Sequence, residues 1–163
     1  MRIVKRAVDK TAAKRGFSLS ELMIVLVIMA VISMAIAIGI SSAAQSYRDI
    51  KTATESSMLC SALVAELSDT LRYATDIQSG SGGDAVFTHR RYGVGVSVKP
   101  SSDGKKVVVG GKPVLSDSAY TGLFASAKVT YSGTMFTLII KVFDYDNKTE
   151  LRSETLNITP ITA

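Results

Sequence analysis

Three residue types are nearly missing from this chain. Of its 163 residues one is cysteine (Cys60), one is histidine (His89) and none is tryptophan. A lone cysteine excludes an intramolecular disulfide, so no covalent bridge can stand in for a hydrophobic core. One histidine and one distant cysteine do not make a zinc ligand set, so neither a metal nor a cofactor is expected. Nothing supports a Ser-His-acid triad around His89, which reads as a surface or partly packed strand residue. Aromatic side chains make up only 7 % of the chain, too few for a platform on which single-stranded bases could stack. Proline is also scarce, with three in all, and none interrupts residues 17–77.

The excess of positive charge is confined to one place. The formal net charge is +5, and residues 1–16 account for it, with Arg2, Lys5, Arg6, Lys10, Lys14 and Arg15 against Asp9. The remainder is balanced, with 13 basic and 13 acidic residues. A general electrostatic affinity for nucleic acid therefore does not follow from the composition.

After the basic segment comes LMIVLVIMAVISMAIAIGI, Leu22–Ile40, which carries no charge at all. As a helix, Phe17–Ile40 spans roughly 36 Å at ~1.5 Å per residue, against a bilayer core of roughly 30 Å. The run is apolar on every face and longer than the ~7–15 residues of a secretory signal core. The preceding cations keep that end cytoplasmic. Two readings compete. In one, the segment is a signal cut after Ala44 and a β-rich binding protein is secreted. In the other, the helix stays. Glu21 separates them, because a carboxylate at the mouth of an apolar segment is costly and implies a partner.

The residues around that carboxylate carry a resemblance. A basic leader ending in Gly16, then Phe17, then Glu21 five residues into the new chain, then the apolar run: GFSLSELMIVLVIMAVI, Gly16–Ile32, resembles a type IV prepilin. The resemblance implies cleavage between Gly16 and Phe17 by a membrane peptidase that also N-methylates Phe17. It implies assembly into a filament in which Glu21 meets the Phe17 amine of a neighbouring subunit. The implied partners are that prepilin peptidase and methyltransferase, other pilin subunits and the inner-membrane assembly platform. The precursor would be single-pass, with its C-terminus outside the cytoplasmic membrane. This chain departs from common pilins in having Ser18-Leu19-Ser20 before the glutamate, no proline at Ile38 and no C-terminal disulfide. Those departures point toward a minor pilin or pseudopilin. The expected role is a structural subunit of a type IV pilus-like filament and not an enzyme, with a pseudopilin of a secretion or DNA-uptake system as the alternative.

Beyond the apolar run the helix is expected to continue over residues 41–78. Tyr47, Ile50, Met58, Leu59, Ala62, Leu63, Leu67, Leu71 and Ala74 recur at threes and fours among charged residues. Cys60 falls near that stripe as a small packing residue. SGSGG, Ser79–Gly83, then reads as a flexible link. From residue 84 to 163 the pattern is β, with Thr134–Asp144 as the strongest strand, a turn at Asp146-Asn147 and Thr149–Thr159 returning antiparallel. The predicted architecture is α+β: a leader (1–16), a membrane or filament-core helix (17–40), its amphipathic continuation (41–78) and an antiparallel β head (84–163).

Few other motifs carry chemistry. Gly93-Val94-Gly95 lacks the third glycine and the following helix of a dinucleotide loop, and Gly110-Gly111-Lys112-Pro113 lacks the spacing of a phosphate loop. DYDNKTE, Asp144–Glu150, has Lys148 and Thr149 where a calcium loop needs other residues. Arg90, Arg91, Lys105 and Lys106 form one candidate basic patch, which would act through phosphates.

Overall fold

The computed structural model describes residues 18–80, 83–146 and 149–161. The chain divides into two compact units, Met1–Ser46 and Tyr47–Ala163. One helix, α1 (Leu19–Arg72), contributes to both. Nine strands follow: β1 (Thr75–Ser79), β2 (Ala85–His89), β3 (Gly93–Val96), β4 (Val98–Pro100), β5 (Val107–Val109), β6 (Lys112–Pro113), β7 (Phe124–Tyr131), β8 (Phe136–Phe143) and β9 (Glu150–Ile158). A single-turn helix, α2 (Asp117–Tyr120), sits between β6 and β7. The class is α+β, a long N-terminal helix followed by antiparallel sheets.

In the first unit α1 is apolar and has no buried residue. Two of its hydroxyls are satisfied by the helix itself. Ser33 Oγ donates to the Met29 carbonyl at 2.8 Å and Ser41 Oγ to that of Ile38 at 2.9 Å. A serine that bonds its own helix backbone leaves no unsatisfied polar group among apolar neighbours.

In the second unit α1 buries one stripe: Ser56, Leu59, Cys60, Leu63, Leu67, Thr70 and Leu71. The spacing of three and four puts all seven on one face. Ser56 and Thr70 give their hydroxyl protons to the carbonyls of Ala53 and Glu66, which makes their burial tolerable. The periodic stripe of the sequence also takes in Tyr47, Ile50 and Met58, and these point the other way, each about two-thirds exposed. Two apolar lines run down this part of the helix, and only one meets the sheets.

The helix stops six residues before the expected end at 78. Leu71 and Ala74 are still buried, but Thr75–Ser79 pairs with β2, with Thr75 opposite Thr88 and Gln78 opposite Val86. Asp76, at φ 49°, takes up the register shift between those pairs. The freed Arg72 carbonyl accepts the Ile161 N–H at 2.9 Å, a long-range substitute for a helix cap. Of the stretch read as a link, Ser79 ends β1 and the Gly80 N–H donates to the Asp84 carbonyl at 2.7 Å, while residues 81–82 lie outside the described residues.

Three antiparallel three-stranded sheets form, in the orders β1-β2-β3, β4-β5-β6 and β7-β8-β9. In the third, Phe136, Leu138, Ile140 and Val142 of β8 alternate into the core, and Ala125, Ala127 and Val129 of β7 lie beside them. Period-2 alternation against the helical stripe makes one continuous core. β7 is covered along its outer edge: Ala125 N–H donates to the Lys105 carbonyl at 3.1 Å, and Thr130 bridges to Asp84. β9 pairs with β8 alone. Its helix-facing side carries Arg152 and Glu154 as well as Leu156 and Ile158. Arg152 shares a cleft with Ala53 and Ser56, and Glu154 Oε2 accepts the Cys60 thiol at 3.2 Å. Burial first, then Glu154, pushes the Cys60 pKa up to about 11, so the thiol is inert packing.

No sequence signal marks α2. It turns Tyr120 into the core, where its hydroxyl accepts the Val107 N–H at 3.1 Å and holds the start of β5.

Candidate functional site

The first described residues build a tight helix start. Ser18 precedes α1 and its hydroxyl accepts the Ser20 N–H at 3.2 Å, while the Glu21 carboxylate reaches back to the Ser18 N–H at 3.0 Å. Ser18-Leu19-Ser20-Glu21 is thus a capping box, the S-x-x-E pattern in which serine and glutamate satisfy orphan donors of the first turn. The pattern is legible in the sequence, although comparison with pilin usage draws the eye to these residues only as a departure. A cap of this kind contributes about 0.5–2 kcal/mol, and a carboxylate in the first turn also complements the helix dipole. Glu21 uses Oε2 in this bond, and Oε1 has no hydrogen-bond partner among the described residues. Gly16 and Phe17, the expected cleavage and methylation residues, lie outside the described residues.

Directly after Glu21 the apolar surface begins. Every residue from Leu22 to Ile40 is exposed, and α1 is long and apolar enough to cross a membrane. A contiguous apolar surface of this extent has to be covered by lipid or by protein.

The four cations of the candidate basic patch are placed on different turns. Arg90 and Arg91 follow β2. Arg91 forms an ion pair with Glu66 of α1, and its guanidinium lies 5.4 Å from the Tyr92 ring centroid. Lys105 and Lys106 lie between β4 and β5. Lys106 binds Asp117 at 2.7 Å and Lys105 sits over the Phe124 ring at 5.6 Å. Two of the four charges are therefore matched by carboxylates.

His89 is half-buried. Its Nδ1 accepts the Arg91 N–H at 3.2 Å and its ring lies 5.5 Å from that of Tyr92. Among the described residues no three of His, Cys, Asp and Glu gather as a metal site. The acids of the 144–150 loop serve the hairpin: Asp144 Oδ1 accepts the Tyr145 N–H at 2.7 Å, and Glu150 binds Lys141 at 2.7 Å.

Set beside known proteins, residues 11–41 match the prokaryotic N-terminal methylation motif. The match takes in Gly16, Phe17 and Glu21 and runs through the apolar part of α1. No curated protein and no solved structure matches the chain. The motif points to a type IV pilin-like, structural protein, and the exposed apolar helix fits a membrane-anchored precursor. Such a motif implies processing by a prepilin peptidase and assembly with other pilins.

Proposed function

We propose that this chain is a structural subunit of a type IV pilus-like filament. It is cut between Gly16 and Phe17, methylated on the new Phe17 amine and stacked with other copies through the apolar part of α1 on an inner-membrane assembly platform. The observation that carries this reading is the junction at Glu21. A carboxylate stands at the mouth of a helical surface from Leu22 to Ile40 that is apolar and wholly exposed. Cleavage at Gly16 creates a cation four residues before Glu21. In a stack of helices the Phe17 amine of one subunit can meet the Glu21 carboxylate of the next. Two unit charges ~4 Å apart attract by about 4 kcal/mol at an effective dielectric of 20, offset in part by desolvation. Lipid serves the precursor and neighbouring helices serve the filament, so one apolar surface is used twice.

Two experiments test it. Mass spectrometry of the mature N-terminus from isolated membranes should find N-methylated Phe17. A start near Gln45 would mean that the helix is discarded, and the reading would fall. The second separates the two roles of Glu21. Glutamine keeps the capping hydrogen bond and removes the charge. Glu21→Gln should therefore be cleaved normally, keep its first helical turn and fail to incorporate into filaments. Normal incorporation of Glu21→Gln would reduce Glu21 to a helix cap.

A further inference from the structure

The fold gives Lys105 different company from the arginines with which it was grouped in the candidate basic patch. On β7, Phe124, Ser126 and Lys128 alternate onto the side of the third sheet turned away from the core, and Lys105 lies over Phe124. Ser126 stands opposite Lys141 on β8, and Lys128 opposite Ile139. Lys128 and Lys141 are thus diagonal neighbours on one face, at about 7–8 Å. β4 runs beside β7 and adds Lys99. Lys99, Lys128 and Lys141 line an open cleft of about 500 Å³, with Ser126 and Ile139 between them and Asp84 as its one acid. Lys141 is held by Glu150 at 2.7 Å. Lys99 and Lys128 are exposed and have no acidic partner among the described residues.

We propose that this cleft binds a carboxylated sugar of the hexuronic-acid type, as a unit of an acidic polysaccharide. Three properties select that class. The two unpaired ammonium groups call for an anion, and ammonium–carboxylate hydrogen bonds are charge-assisted. Asp84 is an acceptor that calls for donors. Sugar hydroxyls supply them, whereas the phosphodiester backbone that a DNA duplex presents offers none. The size fits a small ligand, within the roughly 300–1,000 Å³ usual for such clefts. No aromatic side chain lines it, so unpaired bases have nothing to stack on. Every residue in the site belongs to the second unit.

The test uses the full chain in a non-ionic polyoxyethylene detergent. A fluorescent oligogalacturonate is titrated in, with a neutral maltooligosaccharide, a short DNA duplex and dextran sulfate as comparison ligands. The oligogalacturonate should bind tightest. Lys99→Gln/Lys128→Gln should weaken it about tenfold, a loss typical of removing close charge contacts. Both lysines are exposed, so the fold is retained, which far-UV circular dichroism checks. Asp84→Asn should weaken oligogalacturonate and leave or improve binding of the DNA duplex, a split that lost charge attraction alone cannot produce. Duplex or dextran sulfate binding as tightly as oligogalacturonate would make this a general polyanion surface and overturn the proposal. An unchanged affinity in the double variant would overturn it as well.

Discussion

α1 contains two helical segments that look equally apolar at a glance and solve opposite problems. From Leu22 to Ile40 nothing is buried. From Ser56 to Leu71 every third or fourth residue is buried against the sheets of the same chain. The second segment can be half polar, because its partner is built in and approaches from one side only. The first is apolar all round, and no described residue of its own chain covers it. The contrast shows that apolar content alone says little about a helix. What matters is whether the covering surface is encoded in the same chain.

Substitutions can break that contrast, beginning with the largest effect. Leu67→Ala opens a cavity at a fully buried position and should cost about 2–5 kcal/mol in urea unfolding of the strand signal. Ile28→Ala removes as much side chain from the first segment and should change the same signal by less than about 0.5 kcal/mol. A comparable loss from Ile28→Ala would mean that the first segment is covered by its own chain after all. Gly110→Ala comes next. Gly110 has φ +56°, and an added Cβ would lie 2.6 Å from Val96 Cγ1. About 1–3 kcal/mol of destabilisation should follow from the combined strain and overpacking.

Alkaline pH should act on the second segment through Cys60, whose thiol ionises at about 11 in the fold, against 9.0 ordinarily. Between those values the unfolded chain has lost a proton that the folded chain keeps, so stability falls as pH rises through that window. Cys60→Ala should flatten the alkaline decline relative to the parent, read from melting temperatures across that range; an identical slope would show that the thiol does not contribute to it. The smallest effect belongs to the solvent side of the second segment. Lys51 and Glu55 approach to 3.8 Å with Lys51 more than half exposed. Lys51→Ala should cost no more than about 0.5 kcal/mol and less in high salt.

The first segment and the methylation motif at its start were legible in the sequence because they depend on composition and order alone. Strands β8 and β9 were legible too, since alternation and the turn residues Asp146-Asn147 between them suggest both face and partner. The end of α1 was not. Asp76, Ile77 and Gln78 suit a helix as well as many residues do, and only pairing with β2 draws them into a strand. Tyr47, Ile50 and Met58 fall in with the buried stripe by spacing, because hydrophobicity does not say which of two neighbouring lines meets the core. The lysine cleft was invisible for a related reason. Lys99, Lys128 and Lys141 are far apart in sequence, and a sheet register brings them together. Lys105 and Lys106 are adjacent in sequence, yet one lies over Phe124 and the other binds Asp117.

Arg152 and Glu154 have a bearing on life in a crowd. β9 is the one strand of the third sheet whose far edge is unpaired among the described residues, and a row of free N–H and C=O groups is a template on which another chain can add a strand. Between copies held side by side, such pairing would compete with ordered stacking and lead to aggregates. Charges on the helix-facing side of β9 counter it. A strand added there would have to lie over Arg152 and Glu154 and strip them of water without supplying a counter-charge. The inward-pointing charges thus give the sheet a closed border.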